Sequence, residues 1–411
     1  MKKKIAIVSI GYVWFPCEPG PSRFYYIAKL FAEAGYDVDI ITSNFQHFKK
    51  EYRDIEKIRE QNYPFHIEFI EVPKYKKNLD LRRIYSNSVA KKKIASYFAK
   101  HGEKYDAVYC TVPANDIAAE VSEYCKKKKI PFIVDIEDLW PEAMTMAFNV
   151  PIISNIAFYP FMRDAEKVYR NAKAVIGTSD EYTNRAFKNR EKNIPHQTVY
   201  VGCDLEKFDG GVTKFLSTIE KTSEEFWVSY AGSIGTSYDI KTLVLAAKEI
   251  ENRGYENVKF KIMGTGPMLE EMKVLVAEQN CKNVSVMGYV EYPRMAAYLT
   301  KSDVTVNSFV KGAPQSIVNK IGDYLASGCA MINTLENDEF VAMVSREKFG
   351  VNVEPENVKV LADAVEKFYK DRELCEKMGK TARDYGEDRF SVATSYRRIV
   401  EMVEEQINAG N

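Results

Sequence analysis

Short apolar runs alternate along the chain with longer stretches whose apolar residues return every third or fourth position. KIAIVSI reads as a buried strand; Ser22 can then cap a helix with Phe24, Ile27, Ala28, Leu30 and Phe31 on its apolar side, stopped by Gly35. YDVDIITS follows as a strand, YDAVYCTV and PFIVDIED flank a helix from Asn115 to Lys127, and AKAVIGTS is another strand. The second half restarts the pattern: FWVSYAGS, a helix from Lys241 to Asn252, VKFKIMG, a helix from Met268 to Gln279, NVSVMG, DVTVNS and CAMINT. Between the last two lies KGAPQSIVNKIGDYLASG. A helix opening at Ser316 would turn Ile317, Ile321 and Leu325 to the sheet and Ser316, Lys320 and Asp323 to the opposite side. Three charged helices are predicted after it, near Asn357–Lys370, Glu373–Tyr385 and Ser391–Ile407.

Repeated β-α-β order predicts parallel sheets covered by helices on both faces. At 411 residues the chain exceeds the roughly 250–300 at which a single core stops growing. The simplest architecture is α/β, with two doubly wound, Rossmann-like domains facing a cleft: residues 1–205, residues 206–390, and a terminal helix over 391–411 packing back towards the first domain. Ligands of such sheets bind at the carboxyl ends of the strands. A site between the domains is therefore the default.

Composition narrows the classes. A 45% hydrophobic and 28% charged chain is an ordinary globular protein. The net charge is zero but unevenly spread: residues 1–200 hold 32 Lys and Arg against 25 Asp and Glu, the remainder 26 against 33. The densest basic stretch, Lys74–Lys93, interleaves eight cations with Tyr75, Leu79, Leu81, Ile84 and Tyr85. That pattern suits an anionic membrane surface or phosphorylated acceptor, and equally a solvated loop and helix face. Seven scattered cysteines without a C-x-x-C pair and four histidines argue for a reducing cytoplasm and against a disulfide framework or structural zinc. The start MKKKIAIVSIG reads as a first strand, and no apolar run approaches the roughly 18 residues of a membrane span.

Three glycine-bearing loops follow predicted strands: CEPGPS (17–22), AGSIGTSYD (231–239) and MGTGPM (263–268). Free amides and a helix N-terminus there would favour an anion, although any β-to-α turn can carry glycine for structural reasons. MGTGPM lacks the third glycine of a dinucleotide fingerprint and no G-x-x-x-x-G-K-[ST] occurs, which disfavours a dehydrogenase or P-loop NTPase. In the fourth loop, the amides at the helix start and Lys320 could hold a diphosphate, with a carboxylate further on for ribose hydroxyls. The alternative is a Lys320/Asp323 surface pair.

In their order, EPGPSRFYYIAKLFAEAGYDVDIIT, DLWPE, VGCDLEKF, YAGSIG, IMGTGP, NVSVMGYV, SIVNKIGDYLASG and YGEDRFS resemble family 4 glycosyltransferases of the GT-B architecture. The resemblance is nearest to bacterial lipopolysaccharide and capsule enzymes of the fucosamine-transferase-like kind. It implies a retaining transfer of a sugar from a UDP- or GDP-linked donor to a lipid-linked saccharide acceptor at the inner membrane surface. It implies no metal, no other cofactor and no nucleic acid. It places Gly20, Ser233, Gly264, Gly266, Gln315, Ser316, Ile317, Lys320 and Asp323 at the donor, with Gln315 also touching the sugar and Asp323 the ribose; Asp138 would orient the acceptor or reacting centre.

Three segments depart from the family pattern. Gln315 and Asp323 stand where two glutamates are usual; the loop at Thr236, Ser237, Tyr238 and Asp239 lacks the usual Arg and Lys, leaving Lys241 nearby; and Glu137 stands where an Arg precedes Asp138-Leu139-Trp140-Pro141. The departures make a non-catalytic glycosyltransferase-like partner the main alternative. A sugar-nucleotide 2-epimerase is a lesser one, lacking an obvious cleft histidine among His47, His66, His101 and His196. Asp135, Glu137 and Asp138 lie close enough to suggest a metal, but strand alternation sends the first two to one face and the third to the other.

Overall fold

The computed structural model describes residues 2–18, 20, 22–78, 80–140, 142 and 151–409. Leu79 of the basic stretch, Pro141 of the DLWPE segment, and Pro19 and Pro21 flanking Gly20 lie outside the described residues. The chain divides into two compact units, residues 1–200 with 396–411, and residues 201–395.

The first unit contains strands β1 (Lys4–Val8), β2 (Asp37–Ser43), a small antiparallel pair β3 (Phe45–Gln46) and β4 (Glu51–Tyr52), then β5 (His66–Ile70), β6 (Ala107–Val112), β7 (Phe132–Ile136), β8 (Ala174–Gly177) and β9 (His196–Thr198). Seven of these form one parallel sheet in the order β5-β2-β1-β6-β7-β8-β9. β6 and β7 are buried along their whole length, as strands covered on both faces must be. Helices α1 (Arg23–Glu33), α2 (Leu81–His101) and α3 (Asn115–Lys128) connect them. Ser22 precedes α1 but does not cap it with its side chain: its hydroxyl accepts instead from the Trp14 amide at 3.0 Å, tying the preceding loop shut. The C-terminal helix Arg397–Ala409 closes the unit, with Glu404 accepting from the Tyr36 hydroxyl at 3.0 Å.

The second unit holds a parallel sheet of β10 (Phe226–Ala231), β11 (Val258–Met263), β12 (Val284–Gly288), β13 (Val304–Asn307), β14 (Ala330–Asn333) and β15 (Gly350–Asn352), ordered β12-β11-β10-β13-β14-β15. This is the 3-2-1-4-5-6 order of a Rossmann half, and its switch point lies between β10 and β13. Helix α4 (Ile240–Asn252) follows β10, α5 (Tyr292–Lys301) follows β12 and α6 (Lys320–Ala326) follows β13.

α6 corrects one expectation. It begins at Lys320, four residues after Ser316, and is seven residues long. Pro314 supplies no amide, and the β-branched pair Ile317-Val318 resists helix at this point. Ile321 and Leu325 are fully buried against the sheet, whereas Ile317, ahead of the helix, is only half-buried.

Candidate functional site

The loops after β10 and β13 flank the switch point, and α6 begins beside them. Lys320 at the first turn of α6 is half-buried and forms no ion pair with any described residue. Aromatic rings surround its ammonium instead: Nζ lies 4.5 Å from the ring centroids of Tyr230 and Tyr238, 4.8 Å from Phe309 and 5.9 Å from Tyr324. Its nearest polar partner is the Tyr230 hydroxyl at 3.5 Å. Removal from water without a compensating carboxylate lowers the Lys320 pKa to about 7. The cage partly replaces hydration, each cation–π contact contributing about 0.5–2 kcal/mol. Tyr324 fixes the helix to the strand end, its hydroxyl donating to Ala231 O and accepting from Ala231 N, both at 2.9 Å.

The loop leading to Lys320 is pinned at its start and open at its end. Glu356 and Glu336 accept from the Lys311 and Gly312 amides at 3.2 and 2.8 Å. Further on, Gln315 Oε1 and Ser316 Oγ are buried without a hydrogen-bond partner among the described residues. The Ser316 and Ile317 amides likewise donate to no described residue. These amides are free, but they are not the N-terminus of a helix, since α6 starts later. Unpartnered buried polar atoms cost on the order of 1–3 kcal/mol each, so Gln315 and Ser316 would gain from any group that supplied them with partners.

Gly264 and Gly266 are required by the packing of two loops against each other. A Cβ on Gly264 (φ +149°) would stand 1.7 Å from Gly232 O, and one on Gly266 would stand 2.2 Å from Ile234 O. The two glycines let the loop after β11 lie on the loop after β10. That brings Ser233, whose carbonyl accepts from the Tyr230 hydroxyl at 2.6 Å, and Gly232, whose Cβ would meet Lys320 Cδ at 3.4 Å, to the same strand ends. Asp239, in the loop that lacks Arg and Lys, caps α4 through the Thr242 amide at 3.0 Å and also accepts from the Glu356 amide at 3.0 Å. Lys241 is exposed on the rim of a cavity of about 400 Å³ lined by Ile234, Tyr238, Met268 and Glu356.

Asp323 is not paired with Lys320. Its Oδ1 accepts from the Tyr292 hydroxyl at 2.7 Å and the Cys203 thiol at 3.4 Å, and burial raises its pKa. Lys320 and Asp323 in α6 and Ser233, Gly264, Gly266, Gln315, Ser316 and Ile317 in the loops thus belong to one unit, whereas Gly20 and Asp138 belong to the other. The cage aromatics were missed by the sequence reading. Tyr324, one turn after Lys320, was the accessible signal.

In the first unit, Asp135 and Glu137 share a face as alternation requires. Both meet Arg23, whose Nε lies 2.8 Å from Asp135 Oδ2 and 3.1 Å from Glu137 Oε1. Arg23 also donates to the carbonyls of Val199 and Tyr200 and stacks on Tyr396 at 4.8 Å. Burial beside Asp135 raises Glu137 to about 8. Asp138 turns away and accepts from the Leu139 amide at 2.8 Å, burial again raising its pKa. Next to it, the Arg83 guanidinium covers the Trp140 ring at 4.3 Å. A Cβ on Gly20 would meet no described residue within 4 Å.

Residues 213–385 match the family model described as glycosyl transferases group 1. An uncharacterized glycosyltransferase of Methanocaldococcus jannaschii is 19% identical over 245 residues, a match spanning 59% of this chain and 60% of that relative's length. Among solved structures, sucrose-phosphate synthase from Thermosynechococcus elongatus superposes with a TM-score of 0.70 at 18% identity, over 99% of this chain and all of that one. Anabaena HepE in complex with UDP gives 0.69 at 13% identity, over 98% of this chain and 100% of the other; HepE has also been solved with UDP-glucose. The whole-chain likeness establishes the GT-B fold. With the match over 213–385, it supports a GT-B glycosyltransferase; neither resolves family 4 or the fucosamine-transferase-like subgroup.

Proposed function

We propose that this chain of GT-B fold is a retaining glycosyltransferase that moves a sugar from a nucleotide-diphosphate donor to a lipid-linked saccharide in bacterial surface polysaccharide synthesis. The observation that carries the donor half is Lys320: a caged ammonium without a carboxylate, beside free amides at Ser316 and Ile317 and the unpartnered oxygens of Gln315 and Ser316. A diphosphate supplies the missing negative charge, and a sugar supplies hydroxyls for Gln315. Asp323 takes the ribose. The chemistry asks little of the protein beyond holding donor and acceptor in register and stabilising charge on the leaving diphosphate, with the leaving oxygen helping to take the acceptor proton. No metal is required when Lys320 and backbone amides neutralise that charge.

The acceptor is assigned to the first unit, with Asp138 orienting it. On that unit Leu81, Ile84 and Tyr85 at the start of α2 and Phe48 on the β3–β4 turn are exposed at 83, 50, 62 and 61% amid the Lys49–Lys93 cations, which suits an anionic lipid surface. Tyr75 does not join them: it is buried against Phe45 and His47. No described helix is long and apolar enough to cross a membrane, and a cytoplasmic protein peripheral to the inner face fits this reading.

Calorimetric titration with UDP and GDP tests the proposal. Binding of one of them, lost in Lys320→Ala, supports it. Binding of neither at millimolar concentration would remove the enzyme reading and favour a non-catalytic partner. Incubation with donor alone separates transfer from epimerisation, which would yield a changed free sugar without acceptor.

A further inference from the structure

The hydrogen bonds of Asp323 are one-sided. Tyr292, the first residue of α5, and Cys203, ahead of the helix Leu205–Phe215, both donate to Oδ1, and their own oxygen and sulfur lie 3.6 Å apart. Among the described residues no donor reaches Oδ2.

Neither donor is loosely held. Cys203 is paired with Ser391 in a parallel bridge, its amide donating to Phe390 O at 2.6 Å and its carbonyl accepting from Val392 N at 3.0 Å. A Cβ at Gly322 would meet Cys203 Cβ at 3.1 Å, so α6 rests directly on this residue. The Tyr292 ring lies edge-on to the buried Phe208 at 6.5 Å and carries the Lys207 ammonium at 5.2 Å. With two donors on Oδ1 and none of the described ones on Oδ2, the protein uses the accepting capacity of Oδ1 for itself. The short aspartate stem lets the carboxylate turn only by breaking those hydrogen bonds.

We infer that Tyr292 and Cys203 are positioning residues that fill Oδ1 of Asp323 and leave Oδ2 as the single acceptor for the ligand, so that the donor's ribose is gripped through one of its two vicinal hydroxyls. This rests on the reading of Asp323 as the ribose residue. It adds a consequence for specificity: a deoxyribose donor lacking the ungripped hydroxyl is accepted.

The test is a binding series on the full chain. UDP and GDP are titrated first, and the tighter one is compared with its 2′-deoxy and 3′-deoxy counterparts. One analogue should bind within about threefold of the parent and the other at least about tenfold more weakly, the usual consequence of losing a hydrogen bond to a charged group. Losses of tenfold for both analogues, or for neither, overturn the inference while leaving the donor reading intact; failure of both parent nucleotides to bind overturns the donor reading and this inference with it. In Tyr292→Phe a lone pair of Oδ1 is released, and the tolerated analogue should fall several-fold relative to its parent. A purely structural role would weaken parent and analogue equally, and an unchanged ratio overturns the positioning role. Should that variant not fold, the series on the unaltered protein decides.

Discussion

The Lys320 ammonium stands 4.5 Å from the centroid of the Tyr238 ring, a residue in the loop that lacks the usual Arg and Lys. A loop without Arg or Lys thus packs an aromatic ring against the Lys320 ammonium. An anion bound here meets a lysine already stripped of water, where an ionic hydrogen bond is worth more than at the surface. Lys320→Ala should weaken UDP or GDP binding by about 10- to 100-fold, and Tyr238→Ala by a smaller factor of about 3 to 10, read by calorimetry.

The same burial makes binding pH-dependent. With a pKa near 7 in the free protein, Lys320 is about half charged at neutral pH, and a bound diphosphate raises that pKa. Above pH 7, then, binding takes up a proton, and affinity should fall by up to about tenfold per pH unit until the bound-state pKa is passed. Below pH 7 this group contributes no further gain. Titrations in two buffers of different ionisation enthalpy measure the uptake directly. Lys320→Arg, whose guanidinium stays charged, should abolish it; an unchanged uptake would assign the proton to another group.

Gln315 presents a buried, unpartnered Oε1 beside the Ser316 hydroxyl. A glutamate there would put a second negative charge near the leaving diphosphate while removing an amide donor. If the glutamine is matched to its sugar, Gln315→Glu should lower turnover with the native donor by about tenfold, chiefly in kcat. A panel of sugar nucleotides under initial-rate conditions checks this, and higher turnover with the native donor would refute the matching.

The sequence carried the alternation of strands and helices and the parallel character of the sheets, because the central strands are buried on two faces and YDAVYCTV and FWVSYAGS stand out as continuous apolar runs. It did not carry β5, β9 and β15, which lie at sheet edges and mix exposed or half-buried polar residues such as His66, Gln197 and Asn352 into short strands. Lys320 was legible from its place on the helix. Its cage was not, since Tyr230, Tyr238 and Phe309 reach it from two different strand ends and only the 3-2-1-4-5-6 order brings those together. The partners of Asp323 were equally hidden: Cys203 is 120 residues away.

Leu81 and Tyr85 occupy the exposed side of α2 at its start, while Arg83 between them turns inward to the Tyr12 hydroxyl at 3.0 Å. If this end docks on lipid, Leu81→Asp combined with Tyr85→Asp should reduce cosedimentation with vesicles containing phosphatidylglycerol by several-fold, without shifting the melting temperature. High salt should weaken the unaltered protein's binding in the same assay. Absence of vesicle binding at low salt would assign the exposed residues to another contact.

Glu137 offers a stability test that does not depend on any ligand. Its carboxyl is pushed from about 4.5 to about 8 by burial and by Asp135, against the pull of Arg23. Between those values the folded chain holds a proton that the unfolded chain has released, so the contribution of this group is greatest at low pH and is lost as pH rises through 8. The loss is on the order of a few kcal/mol, the pull of Arg23 being already contained in the shift. Glu137→Gln cannot ionise and keeps the shape of the protonated acid. It should leave the melting temperature near pH 5 almost unchanged and raise it at pH 8 to 9 by a few degrees. Scanning calorimetry across that range decides: a variant less stable than the parent at pH 9 would mean that the ionised Glu137–Arg23 pair is worth more than the burial costs.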